Sequence, residues 1–488
     1  MKDIDEYINS LYENQNIGAD AIQRNLYKKE DYLKLLKDVL ETLRDNKDAN
    51  MDELRNKLYE KSNLEELLKE FFLERKMAPG AVISYGTKNF QERITIGNKQ
   101  EVVMENGILV PKKEEMENDI IFDLASVTKL FTSLSILKLV QSGEINLSDE
   151  VTKYAPEFTN LKGITIYDLL KFEPLETKEK IDRSETREEA EKIVFTASRR
   201  DIPCGANVYN DVAAMVLKYV VEKVSGINYK DFVQQEILDK VGMDNTFVNI
   251  PNEKLNKVAN SNYDGRYYQD GNFIIRDKAI KGVSTDDKAR ILGQPEGILS
   301  GHAGLFSTSF DMTKLARALI GYKIINLNIR DMMAKNRTGF TFMKPDGKKN
   351  YCQYFGMLVY SKNPELSSSE VQHSLSGKSF ASAGWSGTQQ TIDPINNLNF
   401  TLLSNRSHNR MTFIDASKKE LVTQKENGMK TIVLPNEYEM IDATRYAWER
   451  DTIVRRCIEL VLQYKMLEDI TGYSKDNDKI EENNIQIK

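Results

Sequence analysis

The amino-acid sequence predicts an α+β protein in which an antiparallel sheet is flanked by helices and an all-helical lobe is inserted between its strands. Strand-like segments occur early in the 488-residue chain, at 81–85 and 92–96, and return only late, at 354–360, 389–392 and 399–403. Between these two groups the spacing of apolar residues is mostly helical. A sheet closed by distant parts of the chain accounts for this order.

Residues 1–62 are expected to form an N-terminal helical extension. Apolar residues such as Leu33, Leu36 and Leu40 are spaced by three or four positions, which is typical of amphipathic helices. The polar stretch 45–50 is rich in Asp and Asn and separates two such helices. A helical hairpin that packs on the main domain and a module that binds a protein partner both fit this pattern.

The main domain is expected to span residues 63–470. An amphipathic helix at 64–75 is followed by a proline–glycine pair, after which two strands joined by a turn at 86–89 form a hairpin. The polar residues 471–488 are interpreted as a frayed C-terminal tail. Further helices are predicted at 126–141, 212–224, 231–238 and 447–466.

The composition predicts a folded, soluble protein. Hydrophobic residues make up 40% of the chain and charged residues 29%, and a net charge of −6 with mixed Lys and Glu argues against a nucleic-acid-binding face. No apolar run is long enough for a signal peptide or a membrane span, so a cytoplasmic location is expected. The widely separated Cys204, Cys352 and Cys457 are interpreted as inert core thiols in a reducing compartment.

Several well-known catalytic motifs are absent from the sequence. There is no H-E-x-x-H zinc motif, no phosphate-binding P-loop and no G-x-G-x-x-G dinucleotide fingerprint, so neither a metal nor a cofactor is expected. A Ser-His-Asp hydrolase also lacks support, because no G-x-S-x-G elbow occurs and only His302, His373 and His408 are available.

The tetrapeptide Ser126-Val127-Thr128-Lys129 places a nucleophile and an amine at the start of a predicted apolar helix. A serine at a helix start lies beside unpaired N–H groups and the positive end of the helix dipole, which favour developing negative charge. Lys129 is three residues further on and shares the same face of the helix. Burial would lower the pKa of its ammonium and allow it to accept the serine proton.

A second Ser-x-x-Lys pair, Ser135 and Lys138, shows that the spacing alone is weak evidence. This pair lies about half a turn further round the same helix and in its interior, so the two pairs cannot face one pocket. The competing interpretation of Ser126 is a serine that only caps the helix.

The residues around Ser126 and four later segments resemble the class C β-lactamase and penicillin-binding-protein family. Ser-x-x-Lys is a signature of this superfamily. The resemblance runs in consistent order from about residue 64 to 466 and implies a β-lactamase/transpeptidase-like fold. The matching segments are 122–149 (first motif), 209–211 (Tyr-Asn-Asp, second motif), 241–246 (a Gly-Met turn), 301–308 (familiar from the branch of D-alanyl-D-alanine carboxypeptidase-like proteins and esterases) and 382–388 (third motif).

The resemblance implies a role for each matched residue. Ser126 would attack a carbonyl and form an acyl-enzyme, while Lys129 would take its proton. Tyr209 would share that proton and deliver it to the leaving group. The backbone N–H groups of Ser126 and Trp385 would form the oxyanion hole, and Gly384 would let the substrate approach the strand closely.

The chain departs from the family pattern in both later motifs. Ser382 and Ala383 stand where the family commonly has Lys or His and Thr, which removes a cation that would bind a substrate carboxylate. Asp211 stands for the second-motif Asn, and its carboxylate could hold Lys129 protonated. Ser386 is expected to contribute to substrate binding. His302, which lies in a glycine-rich turn, is expected to support residues of the site without contacting the substrate.

The function predicted from these motifs is that of a serine hydrolase. It would cleave an ester or a D-amino-acid amide or peptide through an acyl-enzyme, acting on a small molecule or a peptide. The alternative is a catalytically impaired, penicillin-binding-like protein that retains the fold and binds a ligand or regulates without turnover.

Overall fold

The computed structural model describes most of the chain. Of the three cysteines, Cys457 is a buried free thiol, as predicted, whereas Cys204 and Cys352 lie outside the described part. The predictions for residues 1–28 also lie outside it. The described residues are 29–202, 207–339, 341–343, 347, 349–351, 354–363, 370–435, 437–473 and 481–488.

The described residues form helices and strands in the following chain order. The helices are α1 (Lys29–Asp45), α2 (Met51–Lys61), α3 (Leu64–Leu68), α4 (Thr128–Gln141), α5 (Val151–Tyr154), α6 (Ile166–Leu170), α7 (Arg187–Val194), α8 (Val212–Ser225), α9 (Tyr229–Val233), α10 (Asp239–Val241), α11 (Asp287–Ile291), α12 (Ser309–Ile320), α13 (Leu327–Ala334), α14 (Tyr446–Glu449) and α15 (Asp451–Thr471). The strands are β1 (Gly80–Gly86), β2 (Phe90–Glu105), β3 (Ile108–Glu115), β4 (Phe122–Asp123), β5 (Leu175–Glu176), β6 (Ser198–Arg199), β7 (Asp264–Tyr267), β8 (Phe273–Arg276), β9 (Phe306–Ser307), β10 (Thr341–Met343), β11 (Lys349–Tyr351), β12 (Tyr360–Ser361), β13 (Phe380–Ala383), β14 (Gln389–Asp393), β15 (Leu398–Ser404), β16 (Arg410–Ile414), β17 (Thr423–Gln424), β18 (Lys430–Val433), β19 (Glu439–Asp442) and β20 (Glu481–Ile487).

The main sheet joins the two ends of the domain, which confirms the α+β prediction. Its strands are ordered β12-β13-β14-β15-β1-β2-β20, and β3 pairs with the second half of β2. The early hairpin meets the late strands where β1 runs antiparallel to β15. One pairing differs from the predicted antiparallel pattern, because β20 runs parallel to β2.

A second, six-stranded sheet was not predicted from the sequence. Its order is β17-β18-β19-β16-β7-β8, and β16 runs parallel to both of its neighbours. The strands are two to five residues long and lack a clear alternation of apolar and polar residues; both residues of β17 are exposed. Such short segments carry little periodic signal. This sheet matters for function because β7, β8 and β16 border the site described below.

The main sheet separates two hydrophobic cores. Successive residues of β1 alternate between its faces, so that Val82 packs with the helical lobe whereas Ala81 and Ile83 pack on the opposite side. The opposite core also contains apolar residues of α1, α2 and α15. The N-terminal helices therefore pack on the main domain, where Arg55 forms a buried ion pair of 3.2 Å with Glu468 of α15. A protein partner for these helices stays a prediction.

Two local predictions are wrong. The segment 354–360 is not a strand, because Leu358 adopts a left-handed backbone conformation (φ 52°) and only Tyr360 and Ser361 pair with β13. The tail is not frayed throughout, since residues 481–487 form β20 and complete the hydrogen bonding of β2. No helix of the described segments combines the length and the apolarity that crossing a bilayer requires.

Candidate active site

Ser126 lies in a short 3₁₀ turn between β4 and α4. The preceding Ala125 has φ +46°, a left-handed conformation that costs roughly 1–3 kcal/mol for a residue other than glycine. Asp123 stabilises this turn, since one carboxylate oxygen accepts the Ala125 N–H at 2.8 Å. The other oxygen accepts the backbone N–H of Thr285 at 2.6 Å. The chain is thereby held in a sharp bend that presents Ser126 at the cavity.

The Lys129 side chain lies directly beside the Ser126 hydroxyl. Its Nζ is 2.8 Å from Ser126 Oγ, 2.7 Å from Asp211 Oδ1 and 3.1 Å from the His302 carbonyl oxygen. The capping interpretation of Ser126 is not supported, because α4 begins without a side-chain cap. Ser126 Oγ instead accepts a hydrogen bond from the lysine.

The second Ser-x-x-Lys pair is not part of this site. Ser135 is buried and donates its hydroxyl to the Phe131 carbonyl within the same helix. Lys138 pairs with Glu236 at 3.0 Å. As the helical geometry predicted, the two pairs do not face one pocket: Ser126 lines the cavity and Ser135 does not.

The charge state of Lys129 differs from the expectation. Burial alone would lower the pKa of this ammonium, but the Asp211 carboxylate and Tyr209 more than offset that effect, so its pKa is raised above the usual value. The predicted net lowering of the Lys129 pKa is therefore wrong, whereas Asp211 does reach Lys129, as the alternative expectation required. Although Asp211 is itself desolvated, the cations Lys129 and Lys288 hold the pKa of its carboxyl well below the usual range.

A chain of alternating charges continues behind Lys129. The second oxygen of Asp211 is 2.9 Å from Lys288 Nζ, which in turn is 3.6 Å from Asp286. Asp286 also lies 2.9 Å from the Nε2 atom of the buried His302. His302 thus contacts Asp286 through its ring and Lys129 through its carbonyl oxygen, and its supporting role stays a prediction. The donor atoms of Asp211, Asp286 and His302 lie within 4.8 Å of one another, but the lysine ammonium groups already neutralise the carboxylates, so the cluster fits an ion-pair network.

Asp286 and Lys288 were missed by sequence analysis. Asp286 caps α11 by accepting the Ala289 N–H, and the polar run 284–288 has the composition of an ordinary helix start. That local signal conceals the contact with Asp211, which is more than seventy residues away in the sequence.

Tyr209 lines the same cavity as Ser126. Its ring stacks on Phe172, with centroids 4.8 Å apart, and lies parallel to Tyr360 at 5.9 Å. Lys129 Nζ is 4.9 Å from the centroid of the Tyr209 ring, and the nearby phenol contributes to the raised pKa of the lysine. The three predicted catalytic side chains therefore converge.

The third motif fastens its strand to the nucleophile segment. Ser386 donates its hydroxyl to the Asp123 carbonyl at 2.7 Å, and Thr388 donates to the Leu124 carbonyl at 3.1 Å. A Cβ atom on Gly384 would lie 2.5 Å from that same Leu124 oxygen, so glycine is needed for the close contact between the two protein segments. The oxyanion hole formed by the N–H groups of Ser126 and Trp385 stays a prediction.

Ser382 and Trp385 occupy different environments. Ser382 is buried within β13 and pairs with β14, so it places no group in the cavity. Trp385 is 39% exposed and lines a cavity of about 450 Å³ together with Ser126 and Tyr209. The far side of this cavity is formed by residues of the second sheet, among them Arg266 and Phe413.

We expect Asp211→Asn to move the alkaline limb of the pH–rate profile for the reaction of Ser126 with an acylating probe to lower pH. Without the carboxylate the pKa of Lys129 falls, so the ammonium form beside Ser126 is lost at a lower pH. Asp469→Asn, which breaks a surface pair with Lys465, serves as the matched control and leaves the profile unchanged. A rise in rate at neutral pH would instead identify neutral Lys129 as the base.

Comparison with known proteins bears on the family and the fold of the chain. A family model described as Beta-lactamase matches residues 72–424. A putative D-alanyl-D-alanine carboxypeptidase of Salmonella heidelberg is 26% identical over 322 residues, which cover 59% of this chain and 69% of the relative. The corresponding protein of Salmonella gallinarum is 24% identical over the same shares.

Solved structures with low sequence identity show the same fold. The hydrolase EstCE1, described as having promiscuous acyltransferase activity, aligns with a TM-score of 0.52 at 16% identity and covers 75% of this chain and 97% of its own. A class C β-lactamase mutant aligns with a TM-score of 0.50 at 14% identity over 71% of this chain and 92% of its own. The predicted β-lactamase-like architecture is thereby confirmed.

Proposed function

The chain belongs to the Beta-lactamase family, and on that premise we propose that it cleaves an ester or a D-amino-acid amide through an acyl-enzyme on Ser126. Family membership supports serine hydrolase activity in general. The observation that carries the proposal is the 2.8 Å contact between Lys129 Nζ and Ser126 Oγ in a cavity that Tyr209 also lines.

Proton transfer in the proposed reaction runs through Tyr209. Lys129 carries a proton in the resting state because Asp211 is 2.7 Å away, so it donates to Ser126 Oγ. As Ser126 Oγ bonds to the substrate carbonyl carbon, its hydroxyl proton passes to the Tyr209 oxygen while the phenol's own proton moves toward the leaving group. The Lys129 ammonium stabilises the negative charge that both oxygens carry in turn.

The acyl-enzyme is then formed and hydrolysed in two balanced steps. Tyr209 passes the proton to the leaving alcohol or amine as its bond to the carbonyl carbon breaks. A water molecule next attacks the ester on Ser126, gives one proton to Tyr209 and releases the acid. Ser126 Oγ leaves with that proton, which restores the starting state.

A ligand-binding protein without turnover is the second candidate. It is favoured by the tight Asp211–Lys129 pair, which removes the lysine from use as a base, and by the absence of a third-motif cation at Ser382. This protein would bind a family-type ligand in the cavity and release it unchanged.

Acyl labelling distinguishes the two candidates. The parent is incubated with a fluorescent penicillin and, separately, with a 4-nitrophenyl ester, and trapped adducts are located by mass spectrometry. We expect label on Ser126 in the parent and in Ser135→Ala, which alters the second Ser-x-x-Lys pair, and none in Ser126→Ala. Equal labelling of Ser126→Ala would remove Ser126 from the mechanism. A parent that forms no adduct and releases no nitrophenol would favour the ligand-binding candidate.

A further inference from the structure

Arg266 lies on β7 of the second sheet and lines the same cavity as Ser126. Its Nε atom is 3.4 Å from Asp264 Oδ2, and within the described part of the chain this is the only hydrogen bond or ion pair of its guanidinium. The side chain is 28% exposed. The two terminal nitrogens of Arg266 therefore retain their donor capacity at the wall of the cavity.

The other cationic side chains that line the cavity already form hydrogen bonds or ion pairs with groups of the protein. Arg276 donates to the Thr285 carbonyl at 2.9 Å and pairs with Asp287 at 2.8 Å. Lys288 pairs with Asp211 and Asp286. Among the described cations that line the cavity, Arg266 has the weakest engagement, since its single contact is long for an ion pair.

Asp264 positions Arg266 without neutralising it. This buried carboxylate also lies 3.4 Å from Arg276 and accepts the Thr412 hydroxyl at 3.1 Å. One negative charge is thus divided between two guanidinium groups. The contact engages Nε and leaves the edge formed by the two terminal nitrogens of Arg266 for a partner of matching geometry.

We propose that Arg266 binds a carboxylate of the substrate and replaces the third-motif cation that Ser382 lacks. A planar guanidinium edge matches a carboxylate through two parallel hydrogen bonds. Ser382, buried within β13, offers no charge. This inference rests on the proposed function, because it assigns the substrate class of the same cavity.

The walls next to Arg266 define the remainder of the substrate. The Trp385 ring lies 5.7 Å from the guanidinium carbon of Arg266. Phe413, 41% exposed, contacts Tyr268 with ring centroids 5.5 Å apart, and all three aromatic residues line the cavity. Aromatic side chains beside the weakly engaged guanidinium of Arg266 suit an apolar group that ends in a carboxylate. The substrate class is therefore an ester or amide that carries such a group.

Matched esters test the assignment kinetically. The mono-4-nitrophenyl ester of adipic acid and 4-nitrophenyl hexanoate share a six-carbon acyl chain and differ in the terminal carboxylate; 3-carboxy-4-nitrophenyl hexanoate places the carboxylate on the leaving group. We expect Arg266→Gln to raise KM for at least one carboxylated ester by about 10-fold or more and to leave KM for the neutral ester unchanged. Arg266→Lys restores part of the loss. Arg445→Gln, a change at an exposed arginine outside the cavity, has no effect.

A binding measurement separates this inference from the proposed function. The chain has two tryptophans, so Trp448→Phe leaves Trp385 as the fluorescent reporter. Phenylacetate should change the fluorescence of Trp385 and should bind to Arg266→Gln with a dissociation constant about 10-fold or more higher. The dissociation constant of neutral phenylacetamide should not change on this substitution. Such binding without ester hydrolysis would overturn only the proposed function. The role of Arg266 would be overturned if Arg266→Gln changed the affinity for phenylacetate and phenylacetamide equally, or if phenylacetate did not bind to the parent.

Discussion

Tyr209→Phe should lower kcat/KM for a 4-nitrophenyl ester by about 10²–10⁴-fold, the usual contribution of a positioned proton-transfer group. The Tyr209 ring lies 4.9 Å from Lys129 Nζ and lines the cavity, and in the proposed reaction the phenol both accepts the serine proton and delivers a proton to the leaving group. Phenylalanine removes only this oxygen. The rate is measured under single-turnover conditions so that acylation is observed separately from release of the acid.

The contacts of the ring make this a clean substitution. Phe172 and Tyr360 stack on the ring of Tyr209 and would stack equally on phenylalanine, so the melting temperature should not change. Tyr167→Phe is the matched control, because Tyr167 lies near a lysine, Lys171, but does not line the cavity. A Tyr209→Phe variant within a few-fold of the parent rate would show that Lys129 transfers the proton without the phenol.

Arg55→Met should destabilise the protein by about 3–5 kcal/mol at neutral pH, because it leaves Glu468 buried without its cation. Arg55 and Glu468 are both almost completely buried, and their ion pair joins α2 to α15. Thr87 and Asn89 still donate hydrogen bonds to the carboxylate, at 3.0 and 3.1 Å, but neither supplies a charge. Urea unfolding of the parent and the variant measures the difference in the free energy of unfolding.

The loss should become smaller as the pH falls. Burial raises the pKa of the Glu468 carboxyl above its usual value, and removal of Arg55 raises it further. A carboxyl with a raised folded-state pKa binds its proton more readily in the folded state, so stability is gained in acid and lost as the pH rises through that pKa. The loss of unfolding free energy caused by Arg55→Met is therefore smaller at about pH 5 than at about pH 7. Arg44→Met, which removes an exposed ion pair with Asp45, should leave the free energy of unfolding unchanged at both pH values. A deficit that does not vary with pH would assign the effect to lost packing.

The residues that carry chemistry in short motifs were predictable from the sequence. Ser126 and Lys129 are one helical turn apart, and Tyr209 and Asp211 occupy a second recognisable segment, so the resemblance indicated which distant segments meet. The hydroxyl–ammonium contact at 2.8 Å follows from that helical spacing. The sequence also indicated that Asp211 could hold Lys129 protonated. The 2.7 Å distance between the two groups explains why the carboxylate raises the pKa of Lys129 by more than burial lowers it.

Residues whose role depends on distant partners could not be predicted. Lys288 and Asp286 resemble an ordinary helix start until the fold brings Asp211 beside them. Arg266 is one of many arginines in the chain, and its significance depends on which cations the fold leaves unengaged. The second sheet was missed for a related reason, since strands of two to five residues are specified by their neighbours rather than by their own periodicity.

The strand order of the main sheet has a consequence for solubility. Unpaired strand edges can recruit other chains into aggregates. Here the path ends at β12, which is only two residues long, and at β20, whose exposed residues include Glu482 and Asn484. Charge and brevity make both ends poor templates for a strand from another molecule. Within the described residues, the long hydrophobic strands β1 and β15 lie in the interior of the sheet and are thereby shielded from intermolecular pairing.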